Sequence, residues 1–276
     1  VHPHPGKLPD IVEDAIGVDI PFVPGMRRWV DHHGTGLQYL TAQCITASKT
    51  SVRCTMIFKP TAPSCVSLLP QPPSFVALCA KVTQIDSGRF ASAQEACDPN
   101  DPVLMAAAAI HRLATPEVDR AIIMALTADP NDPEHALITA FPRGEVRRTR
   151  ELRRDHEAIM IRAGRVTEDG LLTLDLTTHA NIAWASPFLP YLVFPTATQY
   201  LMLTATPEAF FLHLGANPWQ RTKNPPRLND LASRYGGGGH AYAAGIRFPP
   251  TPEGMIEAQR AMAAIAHEIT ASSRAA

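Results

Sequence analysis

Three residues that can take part in metal chemistry stand together in the segment VDHHGTG, as Asp31, His32 and His33. A neutral imidazole is a good ligand for manganese, zinc or iron, and an adjacent carboxylate can hold it in one tautomer. Of two neighbouring histidines at a strand end, one can bind a metal while the other faces a substrate. A chance occurrence in a surface loop is the alternative, because the tripeptide alone is a weak signal.

Two aspartates elsewhere in the chain could complete such a metal site. Asp19 closes a strand-like run in GVDIPFVPG, and Asp86 stands at the end of an apolar run in QIDSGRF. Carboxylates and imidazoles together suit divalent first-row metals. Each aspartate taken alone also fits a simpler interpretation, as a turn residue or a helix-capping residue.

A second candidate site lies near the end of the chain, where the glycines Gly236, Gly237, Gly238 and Gly239 precede His240. Glycines let the backbone turn tightly and let its N–H groups approach an anion closely. The histidine adds a hydrogen-bond donor, and a positive charge when it is protonated. A flexible linker is the alternative, although linkers are rarely flanked so tightly by apolar, structured sequence.

The segments around these motifs predict an α/β protein, because apolar runs alternate with helix-like stretches. Residues 15–20 and 27–31 are predicted to be short strands, so Asp19 and Asp31 would stand at strand ends, where open sheets form binding crevices. A helix is predicted from about Phe75 to Ile85. Capping residues followed by proline predict further helix starts at Asp101, Thr115 and Thr251.

The second half of the chain predicts a separate domain. The charged, proline-free stretch 145–163 indicates a helix that either joins two domains or lies on the surface of one. The runs LLTLDLT, LVFP, YLMLTA and FFLHLG that follow it are strand-like. We therefore predict a front domain at residues 1–144, a linker helix at 145–163 and a second domain at 164–276.

The overall composition narrows the class of protein. With 276 residues, of which 45% are hydrophobic, the chain has room for two globular domains. A net charge of −1 gives no general attraction to long nucleic acids, so phosphate contacts must come from local sites. The sequence contains no signal-peptide pattern and no apolar run of membrane-spanning length, which predicts a cytoplasmic protein. The five cysteines lack CxxC spacing. We predict that they are buried free thiols in a reducing compartment. They are Cys44, Cys54, Cys65, Cys79 and Cys97.

Taken in order, these motifs resemble those of the DHH/DHHA1 phosphoesterases, which include RecJ-like and nano-RNase-like phosphohydrolases. GVDIPFVPGMRRWVDHH is similar to the second and third family motifs, and IDSGRF is similar to the fourth. KPTAPSCVSLL resembles the hydroxyl-rich helix start that follows the DHH motif. LNDLASRYGGGGHAYAAGIRF resembles the DHHA1 signature, whose glycine-rich loop and histidine bind the phosphate or terminal nucleotide of the substrate.

The resemblance implies a front domain with a mostly parallel sheet flanked by helices, and a smaller α/β DHHA1 domain with a mixed sheet. It also implies two divalent ions, usually manganese with magnesium possible, that activate a water molecule. In that scheme Asp19 bridges the ions, and His32 and Asp86 hold the second one. Asp31 orients His32, and His33 faces the scissile phosphate.

In the second domain, the resemblance gives the Gly236–Gly239 segment and His240 the role of holding the far end of the substrate across the cleft. Upstream, Arg221, Asn217 and Lys223 are candidates for contacting the substrate, or are ordinary loop residues. The implied partner is a short oligonucleotide or a small nucleotide. Neither a membrane nor an obligate protein partner is expected.

The start of the chain departs from the family pattern. Family members begin with a strand and a motif of His and Asp residues that supplies most ligands of one metal, whereas only eighteen residues precede Asp19 here. His2 and His4 do not match that motif. We expect an N-terminally incomplete chain with an exposed sheet edge, or a natural protein that has lost the first metal motif. In either case this chain alone could be inactive.

The leading functional prediction is a metal-dependent phosphoesterase that hydrolyses phosphodiester bonds in short oligonucleotides or small nucleotides. One alternative is a polyphosphate or pyrophosphate hydrolase, against which the DHHA1 signature argues. The other alternative is a non-catalytic nucleotide-binding module that has lost its first metal motif.

Overall fold

The structure is a computed structural model that describes residues 15–18, 20, 23, 25–32, 55–113, 115–142, 144–179, 182, 186–220 and 226–274. The chain divides into two compact units, one of residues 1–89 with 122–137 and one of residues 90–121 with 138–276. The second unit therefore takes in the helix at 145–163 and residues 90–121, which the sequence assigned to the linker and the front domain.

The first unit contains a three-stranded parallel sheet in the order β1-β2-β3. Its strands are β1 (Ala15–Val18), β2 (Met26–Asp31) and β3 (Thr55–Phe58). The strands predicted at 15–20 and 27–31 are thus present, and they run in the same direction. Strand β1 lies at the edge of this sheet among the described residues, and its Ile16 and Val18 side chains are exposed.

The fully buried Trp29 anchors the central strand of this sheet. Its indole Nε1 donates a hydrogen bond to the carbonyl oxygen of Ile20 at 2.8 Å, which ties β2 to the segment that follows β1. The ring also stacks on Phe58 of β3, with 5.6 Å between the ring centroids. Because β2 is held from both neighbours, the residues at its carboxyl end are held in position as well.

Five of the helices among the described residues were predicted, namely those at about 75–85, at 145–163 and after Asp101, Thr115 and Thr251. The described helices are α1 (Val76–Ser87), α2 (Ala93–Ala96), α3 (Pro102–Leu113), α4 (Pro116–Ala128), α5 (Pro133–Thr139), α6 (Glu145–Ala163), α7 (Leu189–Val193), α8 (Leu228–Ser233) and α9 (Pro252–Arg274), with short 3-10 turns at Val66–Leu68 and Pro73–Phe75.

The predicted helix starts at Asp101, Thr115 and Thr251 are confirmed. The carboxylate of Asp101 accepts from the N–H groups of Val103 and Leu104 at 2.9 and 3.0 Å. The hydroxyl oxygens of Thr115 and Thr251 accept from N–H groups three residues further on, at 3.4 and 3.1 Å. Each cap satisfies donors that the first helical turn leaves without an intrahelical partner.

The second unit is built on a six-stranded mixed sheet in the order β4-β5-β6-β7-β9-β8. Strands β5 and β6 pair in parallel, and the other neighbours pair antiparallel. A parallel sheet in one unit and a mixed sheet in the other, both with helices, confirm the predicted fold class. The strands are β4 (Arg165–Val166), β5 (Leu171–Asp175), β6 (Gln199–Thr206), β7 (Ala209–Ala216), β8 (Gly238–His240) and β9 (Ala243–Phe248).

Alternating side chains give the six-stranded sheet two buried faces. Leu201 and Leu203 of β6 belong to a core that includes residues of α8 and α9. Tyr200 and Met202 of the same strand belong to a second core that includes Met160 of α6 and residues of α7. Successive residues of a strand point to opposite faces, so one strand contributes to both cores.

The charged helix α6 is held to its own unit by hydrogen bonds as well as by packing. Arg150 Nε donates to the carbonyl oxygen of Pro99 at 2.7 Å. Arg153 donates to the carbonyl oxygen of Cys97. These contacts explain why α6 groups with residues 90–121.

One strand prediction in the second unit is wrong. The run LVFP begins inside the short helix α7, and Phe194 directly follows the end of that helix. Pro190 stands in the first turn, where its missing N–H costs nothing and its fixed φ favours a helix. Short apolar runs do not by themselves distinguish a strand from a buried helix.

The described cysteines Cys65, Cys79 and Cys97 are buried free thiols, as predicted, while Cys44 and Cys54 lie outside the described residues. Burial raises the pKa of the Cys97 thiol to about 11. Within the part of the chain that the structure describes, no helix has the length and apolar character needed to cross a membrane.

His213 of β7 predicts a dependence of stability on pH. Its Nε2 lies 3.2 Å from the hydroxyl oxygen of Thr204 on β6. Desolvation by burial, with a smaller contribution from His111, lowers the pKa of His213 to about 4. Since an unfolded histidine has a pKa of about 6.5, the unfolded chain binds an extra proton between about pH 6.5 and pH 4.

The folded state should therefore lose stability as the pH falls through that window. His213→Gln removes the titrating group while keeping a side chain that can hydrogen-bond with Thr204. Lowering the pH from about 7 to about 5 should decrease the free energy of unfolding of the wild type more than that of the variant. We expect the two decreases to differ by about 1–2 kcal/mol. Urea denaturation at both pH values measures the difference, and parallel pH profiles would contradict the assignment.

Candidate functional site

Asp31 and His32 lie at the carboxyl end of β2, the central strand of the parallel sheet. Parallel sheets of α/β proteins place their ligands at this edge. Both side chains are buried, with exposed fractions of 1% for Asp31 and 6% for His32. The prediction that they follow a strand is confirmed, whereas His33 lies outside the described residues.

The imidazole ring of His32 is held by a backbone carbonyl. Its Nδ1 lies 3.0 Å from the carbonyl oxygen of Ala62. Since a carbonyl oxygen can only accept, Nδ1 must carry the hydrogen of this bond. In the neutral ring, Nε2 then presents its lone pair, and that atom lies 3.3 Å from Oδ2 of Asp86.

The spacing between His32 and Asp86 suits two neighbouring ligands of one metal ion. A lone pair and a carboxylate oxygen repel each other unless a proton or a cation lies with them. Bonds to first-row metals are about 2.0–2.2 Å long, so two adjacent ligand atoms on one ion lie about 3 Å apart. When no metal is bound, the same geometry suits an ion pair with protonated His32.

The carboxylate of Asp31 contacts the backbone of the residue that follows it, and its expected role in orienting His32 stays a prediction. Its Oδ1 accepts a hydrogen bond from the backbone N–H of His32 at 2.8 Å. Among these contacts, the hydrogen bond to the carbonyl oxygen of Ala62 orients the His32 ring. The sequence did not identify Ala62. No sequence signal could have marked Ala62, because every residue type supplies a carbonyl oxygen. A carboxylate as buried as that of Asp31 needs hydrogen bonds, an opposite charge or a metal.

The end of helix α1 brings Asp86 to His32. Gly88 adopts a left-handed conformation with φ of 64°, and its N–H donates to the carbonyl oxygens of Gln84 and Ile85. This arrangement ends α1 at Ser87, so that Asp86 stands in the last helical turn. Glycine adopts this conformation without the steric cost that a Cβ would add.

A hydroxyl pair connects α1 to the segment that holds the His32 ring. The Ser64 hydroxyl oxygen lies 2.8 Å from that of Thr83, which stands one helical turn before Asp86. Ser64 is two residues after Ala62, so the carbonyl and the carboxylate that face His32 are connected to each other. This arrangement gives the hydroxyl-rich stretch KPTAPSCVSLL a positioning role.

The described residues fit part of a metal site. His32 and Asp86 supply an imidazole nitrogen and a carboxylate oxygen, a donor set that suits manganese and related ions. Asp19 lies outside the described residues. Among the residues that the structure does describe, no group of three His, Cys, Asp or Glu side chains could hold a metal ion. The further ligands therefore remain a prediction.

The glycine-rich segment forms a helix end followed by a strand. The N–H groups of Gly236 and Gly237 donate to the carbonyl oxygens of Ser233 and Ala232, at 3.2 and 3.0 Å. Gly238–His240 form β8, which pairs with β9 at the edge of the six-stranded sheet. The N–H groups of Gly236 and Gly237 therefore complete the end of α8, and substrate binding by the Gly236–Gly239 segment stays a prediction.

The upstream candidates differ in their surroundings. Arg221 and Lys223 lie outside the described residues. Asn217 is buried, its amide nitrogen donates to the carbonyl oxygen of Ala197 at 2.7 Å, and its oxygen accepts from the N–H groups of Trp219 and Gln220. The suggestion that Asn217 contacts substrate is thus wrong, because its amide group holds the backbone of its own loop.

No family model and no curated protein matches the chain. A solved structure of the pGpG-specific phosphodiesterase PggH from Vibrio cholerae is similar over 96% of this chain and 86% of its own, with 22% sequence identity and a TM-score of 0.58. The chain has the same fold as this structure. At this identity the similarity establishes the fold.

Two further solved structures are similar to the chain at lower scores. An exopolyphosphatase-related protein from Bacteroides fragilis is 15% identical, with 90% of this chain and 66% of that chain covered and a TM-score of 0.39. An uncharacterised protein from Helicobacter pylori is 11% identical, with 80% and 67% covered and a TM-score of 0.25.

Two neighbouring glycines of the glycine-rich segment give a matched pair of substitutions. A Cβ on Gly237 would lie 2.3 Å from the backbone oxygen of Gly245 and 2.8 Å from a side-chain carbon of Ile246. Gly237→Ala should therefore lower the free energy of unfolding by about 1–3 kcal/mol, the usual cost of overpacking. A Cβ on Gly238 would meet nothing within 4 Å.

Gly238→Ala should accordingly change the stability by no more than about 0.5 kcal/mol, as substitutions that meet no close neighbour usually do. Urea or thermal denaturation of both variants measures the difference. Equal stabilities for the two variants would contradict the close approach of Gly237 to β9.

Proposed function

We propose that the protein is a divalent-metal-dependent phosphoesterase that hydrolyses phosphodiester bonds in short oligonucleotides or small nucleotides. The observation that carries this proposal is the contact of 3.3 Å between His32 Nε2 and Asp86 Oδ2, beside the buried Asp31 at the carboxyl end of a parallel strand. A single-tautomer imidazole facing a carboxylate is an arrangement that divalent cations favour.

The fold supports the same proposal. PggH is described as a pGpG-specific phosphodiesterase. A 5′-phosphorylated dinucleotide is therefore the first substrate to test with this protein. The DHHA1-type glycine-rich segment and His240 add a second place where such a substrate could be held.

The residues of the first unit would bind and orient the metal and the substrate. When divalent ions, manganese by preference, are bound, they lower the pKa of a water molecule so that it can attack phosphorus. His32 would supply Nε2 as a ligand, since Ala62 holds the hydrogen on Nδ1, and Asp86 would supply a carboxylate oxygen. Asp19 is the proposed bridging ligand, and His33 is the proposed contact to the scissile phosphate.

In the second unit, the glycine-rich segment and His240 are the proposed contacts to the phosphate or terminal nucleotide of a substrate. His240 is exposed at the end of the edge strand β8. A protonated imidazole can give a phosphate oxygen a charge-assisted hydrogen bond, which is about twice as strong as a neutral one. Arg221 is a further proposed substrate contact.

Hydrolysis assays on the full natural protein test the proposal. pGpG, longer RNA and DNA oligonucleotides, polyphosphate and pyrophosphate are each incubated with manganese, with magnesium or with a chelator. We expect manganese-dependent release of GMP from pGpG, and His32→Ala serves as the control for contaminating nucleases. Hydrolysis of polyphosphate or pyrophosphate alone would favour the second enzymatic class. Nucleotide binding without hydrolysis in the presence of manganese would favour a non-catalytic module.

A further inference from the structure

An open groove on the surface of the second unit contains none of the residues assigned above. It lies between the end of β9 and helix α9 and has a volume of about 460 Å³. Small-molecule sites in proteins have volumes of about 300–1,000 Å³. The residues that matter to its chemistry are Tyr235, Arg247, Phe248, Glu257, Arg260 and Ala261, and we name it the α9 groove.

The α9 groove has an apolar floor and a charged rim. The side chains of Phe248 and Ala261 are buried and form the floor. Arg247 and Arg260 are exposed, one from the end of β9 and one from the middle of α9. Tyr235 keeps 39% of its surface exposed, so that its ring is accessible to a ligand.

The two arginines of the groove are not neutralised within the part of the chain that the structure describes. Neither forms an ion pair with a described carboxylate, whereas Arg227 and Arg234 pair with Asp230 and Glu268. Arg247 Nη2 donates to the backbone oxygen of Glu208 at 2.9 Å, which positions its guanidinium. A guanidinium carries five N–H donors, so most of them remain for an anion.

We propose that the α9 groove binds a guanine mononucleotide. The arginines would bind its phosphate, for which the guanidinium geometry is well suited. The Tyr235 ring would stack on the base, and such stacking contributes about 1–3 kcal/mol per base. Glu257 also lines the groove, and its carboxylate would accept from the N1–H and amino group of guanine. Adenine presents an acceptor at N1, which would face the carboxylate unfavourably.

Calorimetric titration with GMP tests the inference independently of hydrolysis. The protein carries Asp86→Asn and His240→Ala and is kept in a chelator, so that the candidate phosphoesterase site does not contribute. We expect one GMP to bind per chain and AMP to bind more weakly. Adding Arg260→Gln or Tyr235→Leu should weaken GMP binding about tenfold or more. Arg162→Gln, at an exposed arginine of α6, is the matched control and should leave the affinity unchanged.

Three results would overturn the proposal. The first is an absence of GMP binding in the Asp86→Asn, His240→Ala protein. The second is binding that Arg260→Gln and Tyr235→Leu leave unchanged. The third is inorganic phosphate binding as tightly as GMP, which would show a simple anion site. A protein that binds GMP in this way but hydrolyses no phosphodiester would support the groove and contradict the proposed function, so the two failures are distinguishable.

Discussion

Asp86→Asn should remove manganese-dependent hydrolysis and weaken manganese binding by more than about 100-fold. Residues that only hydrogen-bond to metal ligands already contribute about 10–100-fold to metal affinity, so the loss of a ligand should cost more. The substitution keeps the size of the side chain and removes its negative charge. The fold should be retained, because the new amide group can still donate to Nε2 of His32, which lies 3.3 Å from Oδ2 of Asp86. Calorimetric manganese titration and steady-state kinetics measure both effects.

Asp155→Asn is the matched control for this experiment. Asp155 is an exposed acid within α6, and its replacement changes the net charge by the same amount without touching the candidate site. Both its manganese affinity and its hydrolysis rate should equal those of the wild type. If Asp86→Asn binds manganese as tightly as the wild type does, Asp86 is not a metal ligand and its contact with His32 is an ion pair.

His240→Ala should lower kcat/KM by about 10–100-fold while manganese affinity stays unchanged. The side chain is exposed on the edge strand β8, in the unit that does not contain His32 and Asp86. A hydrogen bond to a charged group contributes about 1.5–3 kcal/mol, which corresponds to this range of rate loss. Steady-state kinetics with pGpG, together with a manganese titration, separate a substrate role from a metal role.

Two further variants define the role of His240. His267→Ala, at an exposed histidine of α9, should leave both measurements at wild-type values. His240→Gln retains a neutral donor and should recover part of the lost kcat/KM. A folded His240→Ala variant with reduced manganese affinity would show that His240 acts on the metal and not on the substrate.

Much of the fold follows from short-range patterns in the sequence. The helix starts at Asp101, Thr115 and Thr251 could be predicted because each cap is satisfied within three residues of chain. The α6 helix could be predicted because the stretch lacks proline and is rich in Arg and Glu, which have high helix propensity. Longer apolar runs such as YLMLTA are strands, whereas the four-residue run LVFP was too short to distinguish a strand from a helix.

The candidate site shows a similar division. Residue types and motifs selected His32 and Asp86, because imidazole and carboxylate groups at the ends of apolar segments are suited to bind metals. Only the tertiary structure placed His32 Nε2 beside Asp86 and its Nδ1 against Ala62. It also assigned the N–H groups of Gly236 and Gly237 to the end of α8, where the sequence had suggested an anion contact.

The sequence by itself therefore determined which side chains could do chemistry and which local elements carry them. The tertiary structure decided which of those groups meet and which are already used. The physical reason is that caps, turns and periodic patterns depend on neighbours along the chain. Packing between distant segments decides which groups become hydrogen-bond partners, and no local pattern encodes that packing. Examples are the contact of the Ala62 carbonyl with His32 and the burial of the Asn217 amide group.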